Sequence, residues 1–372
     1  MKTALRQTFI LALIALASSH AHNTVARISN EARAAHRSTK PHALKIVGQA
    51  TARKQAKPAP APARWRGLIG EYGPDSGILY ILEKDGKLCA LFKRAEPEAL
   101  KEVSNSIFKF SQQGSHAGQQ LVFTRVAQGR ATQVEAGSVL YKRRQVGPEE
   151  GGNQLHLTPL HPVPELLTEA LAATPPKESG EFLAPDFVEL TKLDPTIKLE
   201  IRYATTNNFL GTPFYTEARA FMQRPAAESV VRANRKLRAQ GYGLLIHDAY
   251  RPWYVTKVFW DATPDDKKLF VADPSKGSRH NRGCAVDLTL YDLKTGQPTE
   301  MVSTYDETTD RAYPNYPGGT SLQRWHRDLL RSAMESENFT VYEAEWWHFD
   351  YKDWQKYPIG TVRFDQIGIN RQ

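Results

Sequence analysis

Two short stretches of the sequence set imidazole and carboxylate groups among apolar residues. The first, residues 278–289, contains His280 and Asp287. Its second half alternates, so Val286 and Leu288 are expected to face a core while Asp287 faces the other side of a strand. An acid in such an apolar setting is costly to bury without a partner, and a metal ion is one such partner.

The second stretch, residues 343–350, places Glu345 three positions before His348, with two tryptophans between them. A glutamate at this spacing can act as a base beside an imidazole that binds a metal. In a regular strand the two side chains would face opposite sides of the sheet. The stretch is therefore predicted to contain a bend or a bulge.

Together the two stretches supply two imidazoles and one carboxylate. Three protein ligands with a fourth position open to water are typical of a catalytic zinc site. Zinc lowers the pKa of a neighbouring water to about 7, and a nearby carboxylate completes its deprotonation. Each stretch alone is also compatible with a structural histidine or an ion-paired aspartate, so the zinc interpretation depends on both.

The two stretches resemble the zinc D-Ala-D-Ala dipeptidases and carboxypeptidases, a family that includes the vancomycin-resistance dipeptidases. The family pattern Ser-x-His-x-x-Gly-x-Ala-x-Asp is present at residues 278–287, and Glu-x-x-His is present at residues 345–348. The resemblance covers roughly residues 185–365. Further segments look like the dipeptidase branch of the family, namely residues 203–209, 241–245, 248–252 and 287–291.

The resemblance implies one Zn²⁺ per chain, held by His280, Asp287 and His348, with Glu345 as the catalytic base. It also implies that Arg251 stabilises the oxyanion that forms at the scissile carbonyl, a role for which a fixed guanidinium is suited. The alternative for Arg251 is a structural ion pair with an aspartate three positions earlier in the chain.

Three further residues match substrate-binding positions of the dipeptidase branch. Tyr203 and Asp306 match positions that hold the free amino end of the substrate, and Ser278 matches a position near its C-terminal end. The alternative is that these loop residues cap turns. His247 and His326 are interpreted as packing residues rather than ligands.

The function that the resemblance implies is hydrolysis of the D-Ala-D-Ala dipeptide to two D-alanines, in turnover of cell-wall peptides. The partner would be this small dipeptide or a peptidoglycan peptide. The alternative enzyme is a D,D- or L,D-carboxypeptidase that trims peptidoglycan stem peptides, which would leave an open cleft at Asp306. A zinc-bearing binding module without catalysis would be expected to lack Glu345.

Strands followed by separated helices must position these residues, and they predict an α+β fold for residues 181–372. The resemblance implies that this fold has the architecture of the zinc D-Ala-D-Ala peptidases. Residues 197–203 alternate like a strand, and residues 242–248 form a candidate buried strand. Pro225 and Pro252 are typical first residues of helices. Ser321 is a candidate N-cap for a helix that ends near residue 336.

Residues 64–170 are predicted to form a small all-β accessory domain, a meander or barrel, because short apolar runs recur about every ten residues. Asp85-Gly86 lies between two such runs, which is typical of a hairpin turn. The region looks like the small β-domains appended to secreted serine hydrolases, and it carries no catalytic constellation. It is interpreted as a spacer or interaction module, with a cell-wall or substrate-binding module as the alternative.

The sequence of the N-terminal region indicates that the protein is exported, either to the periplasm or by secretion. Residues 1–21 have a basic start, an apolar run of nine and small residues at two candidate cleavage points, as in a signal peptide. Residues 22–63 form a basic Ala/Pro-rich linker, and residues 171–180 form a second linker. No transmembrane segment is predicted to remain after removal of the signal peptide.

The chain carries a formal net charge of +9, and much of the excess lies before residue 67, where Glu31 is the single acid. No nucleic-acid motif accompanies this charge, so nucleic acid is not expected as a partner. Contact with the anionic cell envelope, through the basic linker or the β-rich domain, fits better. Two cysteines, Cys89 and Cys284, provide no disulfide framework.

Overall fold

The computed structural model describes residues 56–92, 95–147 and 156–367. The predicted signal peptide, 1–21, and residues 22–55 of the predicted basic linker lie outside the described residues. None of the helices within the described ranges has the length and apolar character needed to cross a bilayer. The domain boundaries given above stay predictions.

The N-terminal part is an antiparallel meander of eight strands that nearly closes into a barrel. Its last strand returns to its first, because the Gly73 N–H donates to the Lys142 carbonyl at 2.7 Å and the Arg144 N–H donates to the Glu71 carbonyl at 2.9 Å. The predicted all-β region is confirmed. A short helix, α1 (Ala63–Arg66), precedes the strands, which are β1 (Gly70–Tyr72), β2 (Leu79–Lys84), β3 (Lys87–Phe92), β4 (Glu98–Glu102), β5 (Ile107–Phe110), β6 (Gln120–Arg125), β7 (Ala131–Ala136) and β8 (Val139–Lys142).

The β2–β3 hairpin turns at Asp85 and Gly86. Both residues have positive φ angles, of 52° and 75°, as a two-residue type I′ turn requires. Lys84 consequently pairs with Lys87 across the turn. The hairpin predicted from the Asp-Gly pair is confirmed.

The C-terminal part is built on a five-stranded sheet with the order β10–β12–β13–β15–β14. β10 runs parallel to β12, and the other neighbours are antiparallel. The predicted α+β class is confirmed. Its strands, together with the separate pair β9 and β11, are β9 (Phe187–Glu189), β10 (Lys198–Leu199), β11 (Phe221–Gln223), β12 (Tyr242–Asp248), β13 (Ala285–Asp292), β14 (Phe339–Tyr342) and β15 (Glu345–Tyr351).

Helices pack against this sheet and against each other. They are α2 (Val163–Ala172), α3 (Leu190–Leu193), α4 (Arg224–Arg238), α5 (Trp253–Ala262) and α6 (Ser321–Glu335). The starts predicted at Pro225 and Pro252 agree with α4 and α5. Helix α2 packs against α5, although most of its residues were assigned to the β-rich region.

Two local predictions were wrong. The strand expected over residues 197–203 is limited to Lys198–Leu199, because the chain then turns through Arg202–Ala204 and buries Tyr203. The N-cap of α6 is Thr320 rather than Ser321, and it forms a capping box with Gln323. The Ser321 hydroxyl instead contacts a carboxylate of the barrel.

Candidate active site

Three predicted metal ligands meet where β13 and β15 lie side by side. Asp287 on β13 is directly opposite His348 on β15. His280 precedes β13 on a turn in which the Ser278 hydroxyl accepts the His280 N–H at 3.2 Å. The strand register and this turn therefore bring together residues that are up to 68 positions apart in the sequence.

The three side chains present one atom each to a common point. His348 Nδ1 lies 3.0 Å from Asp287 Oδ1, His280 Nε2 lies 3.4 Å from the same oxygen, and the two nitrogens are 3.2 Å apart. Zinc–ligand distances of about 2.0–2.2 Å in a tetrahedron separate ligand atoms by about 3.3–3.6 Å. Asp287 Oδ1 is buried and has no hydrogen-bond partner among the residues that the structure describes. The donor set and its spacing fit a divalent metal ion.

Neighbouring groups fix the orientation of both imidazoles. His280 Nδ1 lies 2.7 Å from the Ala249 carbonyl, so this nitrogen carries the proton and Nε2 keeps its lone pair for a metal. His348 Nε2 contacts Asp350 Oδ1 at 3.0 Å, and Arg279 donates to Asp350 Oδ2 at 2.5 Å. Such outer contacts orient metal-binding histidines.

Asp350 was not assigned a role from the sequence, although a signal was present. It lies two positions after His348 on one strand, and residues two apart share a face. Tyr305 was also missed. Its hydroxyl donates to Asp287 Oδ2 at 3.0 Å, and its ring stacks on His247 at 4.6 Å. No sequence signal indicated Tyr305, because a loop brings it to the site.

Electrostatics favour a charged pair at the centre of the site. Burial would raise the pKa of Asp287, but the two imidazoles of His280 and His348 hold it well below its usual range. Burial would lower the pKa of His348, but the close carboxylates of Asp287 and Asp350 hold it well above its usual range. Mutual attraction therefore offsets the cost of burying these groups.

Glu345 lies beside the ligand atoms, with Oε2 at 3.7 Å from His348 Nδ1. The predicted bulge is confirmed: Val341 pairs with Phe349 while the next residue, Tyr342, pairs with Glu345. Burial and repulsion from Asp287 raise the Glu345 pKa, against the attraction of the nearby cations. A carboxylate with a raised pKa is matched to proton transfer near neutral pH.

Arg251 combines the two roles considered for it. Its guanidinium donates to Asp248 Oδ2 at 3.0 and 2.8 Å, so the structural ion pair exists. It also lies 4.0 Å from Asp287 and faces the cleft described below, with the rings of Tyr203 and Phe259 about 5 Å away. The ion pair fixes the guanidinium beside the candidate metal site.

Tyr203 and Asp306 contact each other, because the Tyr203 hydroxyl donates to Asp306 Oδ2 at 3.3 Å. Asp306 has a φ of 60°, which places its backbone in the left-handed region. Burial, together with repulsion from Asp287 and Glu345, raises the pKa of Asp306 to about 8. A cationic group beside this carboxyl would favour its ionised form and lower its pKa again.

All eight predicted site residues line one cleft of about 680 Å³, namely Tyr203, Arg251, Ser278, His280, Asp287, Asp306, Glu345 and His348. His247 and His326 lie in the buried interior outside the metal-binding group, as interpreted from the sequence. The two cysteines are buried and unpaired.

Comparison with known proteins identifies the family to which this chain belongs. The family model described as D-ala-D-ala dipeptidase matches residues 184–366. A D-alanyl-D-alanine dipeptidase of Escherichia coli strain K12 is 32% identical over 179 residues, covering 48% of this chain and 91% of that relative. One of Enterococcus faecium is 35% identical over 196 residues, covering 48% and 96%. This chain therefore belongs to the D-Ala-D-Ala dipeptidase family of peptidases.

Proposed function

We propose that this protein hydrolyses D-alanyl-D-alanine to two D-alanines with one Zn²⁺ held by His280, Asp287 and His348. The convergence of two imidazole nitrogens on one buried oxygen, Asp287 Oδ1, which has no hydrogen-bond partner among the described residues, carries this proposal. When bound there, zinc supplies Lewis acidity that acidifies water and polarises the scissile carbonyl.

Binding of the dipeptide depends on charge. Asp306, with Tyr203 beside it, accepts the substrate ammonium, because the positive charge of the ammonium favours the ionised form of this carboxyl and offsets the rise in its pKa. Ser278 lines the same cleft, and we assign it to the substrate carboxylate. A substrate without a free amine would leave Asp306 without its partner.

Proton transfer is the task of Glu345. Its carboxylate takes a proton from the attacking water as the water oxygen bonds to the carbonyl carbon of the first D-alanine. Arg251, fixed by Asp248, donates to the carbonyl oxygen as negative charge develops on it. Glu345 then gives the proton to the leaving amine as the carbon–nitrogen bond breaks.

A carboxypeptidase that trims peptidoglycan stem peptides is the second candidate. The cleft volume of about 680 Å³ favours it, because two alanines occupy much less space. Asp306 and Tyr203 favour the dipeptidase, because they provide a partner for a free amine inside the cleft.

We place the reaction outside the cytoplasm, in turnover of cell-wall peptides. The basic start and apolar run of residues 1–21 support export. Fractionation of cells that produce the full chain, with sequencing of the mature N-terminus, tests this location. Recovery of the uncleaved chain in the cytoplasm would contradict it.

The activity is tested by D-alanine release from D-Ala-D-Ala, beside a peptide ending in D-Ala-D-Ala with a blocked amine. Cleavage of the free dipeptide alone supports the dipeptidase. Preferential cleavage of the blocked peptide would replace it with the carboxypeptidase. Failure to cleave either substrate, with zinc bound, would contradict both.

A further inference from the structure

We infer that the barrel is a positioning element of the active site, which holds the loop of residues 303–316 so that Asp306 faces the substrate amine. The inference rests on the proposed function for the role of Asp306. The contacts that carry it join two buried carboxylates of the barrel, one on β1 and one on β2, to the C-terminal part.

The β1 carboxylate, Glu71, holds the far end of the loop. It is 3% exposed, and its Oε1 accepts the Tyr316 hydroxyl at 2.8 Å while Oε2 pairs with Arg144 at 3.0 Å. The Tyr316 ring packs edge-to-face on Tyr80 of β2 at 5.9 Å. Because Glu71 is buried, loss of the Tyr316 donor would leave an acceptor partly unsatisfied.

The β2 carboxylate, Glu83, fixes the chain just after the loop. Its Oε2 accepts the Ser321 N–H at 2.7 Å, and its backbone N–H donates to the Gly319 carbonyl at 3.1 Å. On the side of the C-terminal part, Arg327 donates to the Tyr316 carbonyl at 2.7 Å. The loop therefore ends between the barrel and α6.

Contacts within the loop support the residue next to Asp306. Arg311 pairs with Glu307, the neighbour of Asp306, at 3.1 Å, and both side chains are buried. Glu307 also accepts the Thr309 hydroxyl at 2.5 Å. A displacement of the Tyr316 end of the loop would therefore be passed on to the residue beside Asp306.

The backbone of Asp306 explains why such support is needed. The left-handed conformation is uncommon for residues other than glycine, although aspartate adopts it more readily than most, and it is kept where the surrounding structure fixes the chain. Tyr305 ties one side of Asp306 to Asp287 at 3.0 Å. The barrel contacts at Tyr316 tie the other side.

The test combines Tyr316→Phe with Glu71→Gln in the full chain, because both changes keep shape and remove the hydroxyl or the charge. The matched control is Glu98→Gln, which breaks the ion pair with His116 inside the barrel. KM and kcat are measured for D-Ala-D-Ala and for its N-acetylated form.

We expect the double variant to raise KM for the free dipeptide about 5- to 10-fold with kcat changed less than about 2-fold. We also expect it to lower the preference for the free amine, while the control changes neither. An unchanged KM with unchanged amine preference would overturn the inference. A fall in kcat at constant KM would overturn it as well, because a purely structural role would reduce the active fraction.

A second measurement does not require activity. Hydrogen exchange in peptides covering residues 303–316 is expected to be faster in the double variant than in the wild type and in Glu98→Gln. If the wild type cleaves neither substrate, the proposed function fails, but this exchange still tests the positioning. Equal exchange in all three proteins would overturn the inference.

Discussion

Buried carboxylates occur in two regions of this molecule, and their surroundings differ. In the cleft, Asp287 is buried with one oxygen that lacks a hydrogen-bond partner among the described residues, and the half-buried Glu345 and Asp306 line the space beside it. At the barrel, Glu71 and Glu83 are buried as deeply as Asp287 but contact hydroxyl, guanidinium or backbone N–H donors. The proposed metal ion and substrate would complete the first set, whereas the second set finds its partners within the chain.

This difference distinguishes residues that bind a ligand from residues that stabilise the fold. A buried polar group whose partners are all in the chain stabilises one arrangement. A buried polar group that lacks a hydrogen-bond partner in the chain indicates a binding site for a ligand. Substitutions in the cleft should therefore change catalysis and metal affinity directly, whereas substitutions at the barrel should change stability and act on substrate binding only through the loop of residues 303–316.

The largest effect is expected at Glu345. Glu345→Gln keeps the shape but removes the base, so kcat for D-Ala-D-Ala should fall about 10²- to 10⁴-fold with zinc content unchanged. Steady-state kinetics and metal analysis measure the two quantities. Glu343→Gln, at an exposed neighbouring position, is the control. If Glu345→Gln kept the kcat of the wild type, Glu345 would not be the catalytic base.

Next in size is removal of the β2 carboxylate. Glu83→Ala leaves the N–H groups of Ser321 and Gly86 without their acceptor, so the free energy of unfolding should fall by about 2–4 kcal/mol. Denaturant titration measures it. Glu83→Gln keeps an acceptor and should lose less. Equal stability of Glu83→Ala and the wild type would show that this contact is not stabilising.

Asp350→Asn tests the orientation of a ligand. Without the carboxylate, His348 Nε2 loses its charged partner, so zinc affinity should fall about 10- to 100-fold. Competition with a chromophoric chelator measures the affinity. Asp353→Asn, which breaks an ion pair with Lys356, should leave it unchanged. If both variants bind zinc like the wild type, Asp350 does not orient the ligand.

The smallest effect is expected at the cap of α6. Thr320→Ala removes the side-chain acceptor for the Gln323 N–H, and the free energy of unfolding should fall by about 1 kcal/mol. Thr320→Ser retains the hydroxyl and should behave like the wild type. A loss of the same size in Thr320→Ser would point to packing rather than capping.

Much of the site followed from the sequence because its residues lie on adjacent strands or on turns with local signals. The alternation around Asp287 and the bulge before His348 were both predictable from side-chain periodicity. Tyr305 was not predictable, since its contact with Asp287 depends on the course of a loop. The contact between Glu71 and Tyr316 spans 245 positions, and no local pattern specifies such a pairing. The turn at residues 202–204 likewise reflects burial of Tyr203 rather than strand propensity.

The central claim is that three residues hold a metal on which dipeptide hydrolysis depends. The most direct test is to strip the protein with a chelator, titrate Zn²⁺ back and follow D-alanine release from D-Ala-D-Ala in the wild type and in His348→Ala. The account predicts that activity disappears on stripping, returns at one equivalent of zinc in the wild type, and does not return in the variant. Full hydrolysis by the stripped protein, or full recovery in His348→Ala, would contradict it.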